Sequence, residues 1–322
     1  DEETASLLKE AMVSTGDSAA IVGALKAGIG NVSIFAEALG EVMDPSTVSE
    51  LESLLDRVDR EVRKVLLRGL EKIGSASSFD SLVKALNDAD GHVRGLAARA
   101  VVATGDTRGV GVLRDALVKE PFSDVREVIG AALSSCRGGG VEGVFEDLLQ
   151  SENPSLRTVA VKGFGRLKTA GAMAFLKEAA ADKDPDVRKE AVLALGLFDE
   201  DDAVGAIVSG ALADDKREVK MAALQVAGAM GDGEKILIEA VGNSDMWVRF
   251  KAVSILGEKR AAAAEDAIIG LLLGDEPPVK IACIKALGNM RSARAVGVLK
   301  GFIDHADPYI REAARNAVKG SL

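Results

Sequence analysis

Residues 182–196 read Asp-Lys-Asp-Pro-Asp-Val-Arg-Lys-Glu-Ala-Val-Leu-Ala-Leu-Gly, and this stretch carries the unit from which the chain is built. Asp184 is a good helix N-cap, and Pro185 suits the first helical position, where its missing N–H would have no partner anyway. From Val187 to about Phe198 the apolar residues Val187, Ala191, Ala194 and Leu195 fall on one helical stripe. Upstream, Thr169 to about Ala181 presents Ala172, Phe175, Leu176 and Ala179 at the same kind of spacing. The unit is therefore a pair of short helices joined by a polar turn.

Its most constant mark is an apolar residue followed at once by Arg or Lys. The basic members are Arg63, Arg94, Arg126, Arg157, Arg188, Lys220, Arg249, Lys280 and Arg311, which recur at a nearly constant interval. A fixed period of the length of one helix pair signals a repeat array, in which each unit buries its apolar face only by stacking on its neighbours. Counting back one period from Val62 reaches Val32, which opens a worn copy in which Ser33 stands where the base is expected. Residues 1–30 are expected to supply an N-terminal cap and the start of this degenerate repeat, and 31–322 the stacked repeats. The expectation is an all-α fold, an α-α superhelix of about ten helix pairs, right-handed and continuous over 1–322. Glycine recurs eight residues after the anchor at Gly165, Gly196, Gly228, Gly257 and Gly288. Either a close neighbouring helix or a nearby helix end would account for it.

Composition agrees with close helix packing. The chain is 48% apolar but 3% aromatic, with one Trp and one Tyr. Its net charge of −10 opposes nonspecific binding to nucleic acid or an anionic membrane, which need a basic footprint. No apolar run reaches the roughly 18 to 20 residues of a membrane span. Two cysteines, Cys136 and Cys283, fall in distant units, so a cytoplasmic setting with free thiols is expected. The chain begins at Asp1 rather than Met, which leaves room for fused domains of a larger protein.

The helix-pair period, the D-P-x-V-R turn and the second helix from Ala191 to Gly196 resemble HEAT repeats, most closely the short type named after phycobilisome lyases. The resemblance spans residues 30 to 322. It implies a HEAT-like solenoid whose second helices line the concave side, and it points weakly to function. A HEAT-type hydroxylase, deoxyhypusine hydroxylase, uses repeated His-Glu pairs as metal ligands. This chain has only His92 and His305, neither followed by Glu, so no metal or cofactor is expected. No nucleophile elbow, P-loop or dinucleotide fingerprint is legible, so no catalytic residue is assigned. Nucleic-acid glycosylases of similar form need a basic groove and aromatics that this chain lacks.

The basic ladder reads as structural: each anchor stands near a capping acid, as in Asp184 with Arg188, Asp245 with Arg249 and Asp307 with Arg311, and a guanidinium can also bridge the next unit. A partner is expected instead on the face one, five and nine residues after the anchor. There, Lys64, Arg68, Lys72, Arg99, Lys162, Arg166 and Lys189 make an early basic half, interrupted by Glu127. Leu193, Leu197, Met221, Phe250 and Ile281, with Trp247 close by, make a later apolar half. The functional expectation is a non-catalytic scaffold that binds a protein or peptide on the concave face. The alternative, implied by the repeat type, is a phycobilin-lyase-like chaperone subunit.

Overall fold

A computed structural model describes residues 2–27, 32–42, 44–198, 202–274 and 276–321. The described residues contain helices and turns and no strand. They divide into two compact units, Asp1–Leu167 and Lys168–Leu322.

In the first unit a leading helix, α1 (Glu2–Thr15), precedes the worn pair α2 (Ser18–Ala27) and α3 (Val32–Val42). Four full pairs follow: α4 (Val48–Leu55) with α5 (Arg60–Ile73), α6 (Phe79–Ala85) with α7 (Gly91–Ala103), α8 (Gly109–Lys119) with α9 (Ser123–Ser134), and α10 (Val141–Leu149) with α11 (Pro154–Leu167). The second unit holds α12 (Ala172–Ala179) with α13 (Pro185–Leu195), α14 (Asp202–Ala211) with α15 (Arg217–Ala229), and α16 (Glu234–Ala240) with α17 (Met246–Lys259). It closes with α18 (Glu265–Gly274) beside α19 (Pro277–Met290) and α20 (Ala293–Lys300) beside α21 (Pro308–Ser321). The expected ten pairs and cap are present, and residues 28–31 lie outside the described residues.

Within each unit the second helices pack directly on one another, α3 to α5 to α7 and α17 to α19 to α21, whereas first helices mainly meet their own partners. Small residues make this possible. Gly257 lies inside α17, and a Cβ there would stand 2.6 Å from Ala286 Cα on α19. Gly196 combines both readings of the periodic glycine: it is the C-cap of α13, and a Cβ on it would meet Val226 at 2.7 Å. The helix α13 ends at Leu195, three residues short of the expected Phe198.

The core is aliphatic, as composition requires. Leu66, Leu70, Phe145 and Phe164 are sealed in the first unit, and Leu195, Leu224, Leu256 and Leu287 in the second. The apolar member of the anchor pair is always inside: Val93, Val187, Val248 and Val279 are fully buried. Burying such a side chain contributes about 1.5–3 kcal/mol. Because the next residue along the helix turns about a quarter circle, the base after it must emerge at the seam between repeats.

Candidate functional site

Several second helices begin on aspartate caps, whereas α9, α15 and α19 start at Phe122, Lys216 and Glu276 without a side-chain cap. Asp184 accepts from the N–H groups of Asp186 and Val187 at 2.9 and 3.4 Å, and Asp90 from those of His92 and Val93 at 2.9 and 3.1 Å. Asp245 does the same for Trp247 at 2.9 Å, and Asp307 for Tyr309 at 2.8 Å. These carboxylates are engaged by backbone, so they leave the anchor four residues on to find other partners.

The anchors find them in two directions. Backwards, Nη1 of Arg94, Arg188, Arg249 and Arg311 donates to the carbonyls six residues earlier, those of Asp88, Asp182, Asn243 and His305, at 2.7 to 2.9 Å. Forwards, the guanidinium reaches an acid in the following repeat. Arg94 grips Glu120 through two 2.7 Å bonds, and Arg188 grips Asp214 at 2.7 and 2.9 Å and adds Asp215 at 2.9 Å. Arg249 reaches Glu276 at 2.9 Å, and Arg63 lies 3.1 Å from Asp88. Arg157, buried, donates to the Ser151 and Glu152 carbonyls, and Arg126 donates to Ser155 Oγ. The Lys220 and Lys280 ammonium groups make no hydrogen bond or ion pair among the described residues, and an ammonium lacks the planar fork that lets a guanidinium serve two directions at once.

Electrostatics follow the geometry. The Arg188 guanidinium holds the Asp214 carboxyl below the ordinary carboxylate range. Burial pushes Glu120 up, but the hydrogen bond from Arg94 and the N–H of Phe122 together outweigh it, and the carboxyl is held low. A second tier, three residues before the anchor, escaped the sequence reading. Arg60 lies 3.4 Å from Asp90 and Arg217 lies 2.6 Å from Asp245, so each joins the cap of the next second helix. The available signal was a base and an acid standing one repeat apart in both places.

The expected partner-binding residues fall in two sets. In the first unit, Lys64, Arg68 and Arg99 come together in a groove of about 390 Å³ with His92, Leu96 and Val128. Most of this basic half is neutralised locally. Lys64 pairs with Glu61 at 2.6 Å, Arg99 with Glu71 at 2.7 Å and Lys162 with Glu127 at 2.6 Å. In the second unit Lys189 likewise pairs with Asp186 at 2.8 Å. Arg68 and Arg166 are exposed and make no ion pair among the described residues. Lys162 and Arg166, on α11, lie outside the groove.

The apolar set belongs to the second unit. Met221 lines a groove of about 650 Å³ with Leu193, Ala222 and Ile255, whose walls carry Glu218, Lys251 and Glu258. Trp247 is 45% exposed and packs edge-on against Phe250, with ring centroids 5.8 Å apart and planes at 71°. Phe250 and Ile281 are half-buried, and Leu197 is exposed. Both grooves span three consecutive second helices: residues one and five after the anchor of the first meet residues two before and one, two and five after the anchor of the second, and the third helix closes the far wall.

Chemistry of other kinds finds little purchase. His305 is tied into its turn, with Nδ1 accepting from the Asp307 N–H at 3.0 Å and the ring stacked on Phe302. Burial pushes the Cys136 thiol up, away from a reactive thiolate. Among the described residues no three His, Cys, Asp or Glu side chains are placed to hold a metal. No helix among them is long and apolar enough to cross a membrane.

The family model for HEAT repeats matches residues 48–134, 141–228 and 234–319. The chain belongs to the HEAT-repeat family. The match is to HEAT repeats in general and does not single out the lyase type. No curated protein sequence matches this HEAT chain. Among solved structures it is similar to YibA of Escherichia coli, 17% identical over 82% of this chain and 98% of that one, with a TM-score of 0.51. It is also similar to Kap95p, solved bound to RanGDP, at 13% identity over 94% of this chain and TM-score 0.56, and to Kap121p, at 12% over the whole chain and 0.54. The HEAT chain spans 49% of Kap95p and 42% of Kap121p. At these identities the likeness is one of fold.

Proposed function

We propose that this HEAT chain is a non-catalytic scaffold that docks a protein or peptide partner on the second-helix layer of its second unit. The observation that carries this reading is the apolar set on that layer: Met221 in its groove, Trp247 exposed against Phe250, and Ile281 beside them. Exposed apolar surface rimmed by charge marks interaction sites, and aromatics dominate the energy of such contacts. The basic residues of the first unit contribute less to binding, because half of them, Lys64, Arg99 and Lys162, are already paired within the chain. Kap95p, a neighbour in fold, was solved with a protein bound, which agrees with scaffold use of this architecture.

The test places a photo-crosslinking residue at Trp247 on α17, or at Lys300 on α20, in the source cell. A discrete adduct from Trp247 and none from Lys300 is expected. Combining Met221→Asp with Phe250→Asp should remove that adduct while circular dichroism and melting stay near wild type. Equal labelling at both positions, or an adduct that survives the double substitution, would contradict the assignment.

A further inference from the structure

The residue two before the anchor opens each second helix and faces out of it. Through most of the chain it is polar: Glu61, His92, Asp124, Asp186 and Glu218. In the last three repeats it becomes Trp247, Pro278 and Tyr309. One turn further along, at the position after the anchor, stand Phe250 and Ile281. Residues three apart share a helix face, so these five form one strip across α17, α19 and α21, which pack side by side. Trp247 is 45% and Tyr309 72% exposed.

Three properties of the strip select one kind of occupant. The indole N–H of Trp247 and the hydroxyl of Tyr309 have no hydrogen-bond partner among the described residues. Both side chains are exposed and open to water in the free chain; a ligand that covers them must supply acceptors in water's place, and a helical ligand offers few, since its carbonyls bond within the helix. An extended chain leaves them free. The spacing also fits: neighbouring helices stand about 8–10 Å apart, and a polyproline II helix advances about 9.3 Å per turn at 3.1 Å per residue. Finally, both ends are acidic. Glu218 on α15 and Glu312 on α21 are exposed and make no ion pair within 4.0 Å among the described residues.

We infer that the strip recognises a proline-rich segment in the polyproline II conformation, about eight to ten residues long, with a basic residue at each end. Successive prolines pack on Trp247, on Pro278 with Ile281, and on Tyr309. Carbonyls between them accept from the indole and phenol, and the terminal bases meet Glu218 and Glu312. This rests on the docking surface proposed above and adds the chemistry of its occupant.

Because Trp247 is the only tryptophan of the chain, its emission reports on the strip directly. The probe is a synthetic peptide of about ten residues with Lys at both ends and Pro-Pro-Ala repeats between. Titrating it into the full chain should shift Trp247 emission to the blue with a saturable curve. Tyr309→Phe, which deletes one hydroxyl donor, should weaken binding about fivefold, the equivalent of one ordinary hydrogen bond. Glu312→Lys should weaken it in low salt and matter less as salt rises. A peptide with Ala for every Pro, which favours a helix, should bind at least about tenfold more weakly. No saturable shift up to roughly 1 mM probe, or equal affinity for the Ala peptide, would overturn the inference. So would an emission shift that depends on protein concentration alone, which would assign the strip to a second copy of this chain. If the crosslinked partner is lost on Phe250→Asp yet the proline probe fails, the docking surface stands and only its occupant is wrong.

Discussion

Of the two roles open to the base after the buried valine, Arg188 takes the bridge to the next repeat. Arg188 does not close on Asp184 four residues before it; it ties the carbonyl of Asp182 to Asp214 of the next repeat. The Arg188 and Asp214 side chains are 14% and 11% exposed, so truncating one strands the other. Arg188→Ala is expected to cost roughly 2 kcal/mol, the range of a charge-assisted hydrogen bond left half made, with melting temperature as the readout. The same pair fixes a pH response. Asp214 titrates lower in the folded chain than when unfolded. Its contribution is therefore whole above about pH 4, the unfolded value, and is lost as pH falls through the folded one. Asp214→Asn should flatten the acid limb of a stability–pH curve while lowering stability at neutral pH. Arg291 takes the opposite sign: it caps α19 with φ at 57°, in the left-handed region. Arg291→Gly should raise stability by about 0.4–1 kcal/mol in a denaturant titration.

At the scale of the helix, local signals were legible because their causes are local. Asp184-Pro185 announced the start of α13, and Val187, Ala191, Ala194 and Leu195 announced its buried stripe. Even the worn repeat was readable, from α3 standing one period ahead of α5. What escaped depends on neighbours a whole repeat away in sequence. The pairing of Arg99 with Glu71 and of Lys162 with Glu127, 28 and 35 residues away, could not be seen from a list of positions, and together with the local Glu61–Lys64 pair it shrinks the basic half of the expected surface. The periodic glycines were ambiguous for the same reason: only the distance from Gly257 to Ala286 identifies close approach rather than helix ending. Gly257→Val should therefore force α17 and α19 apart and destabilise the chain by about 1–3 kcal/mol, measurable as a lower denaturant midpoint.

For the whole molecule, function reduces to a choice between layers. The first helices expose charged residues mixed with small ones, and Val118 and Leu273 as isolated large apolar residues, whereas the second helices of the last repeats gather Met221, Trp247, Phe250 and Ile281. Nothing local requires tryptophan or tyrosine at a helix start where other repeats place Glu61 or Asp124. A docking surface supplies the reason. Hydrogen–deuterium exchange of the full chain, alone and with its crosslink-identified partner, tests this most directly. The account predicts slower exchange in α15, α17, α19 and α21 and unchanged exchange in α14, α16, α18 and α20. Protection confined to the first helices would contradict it.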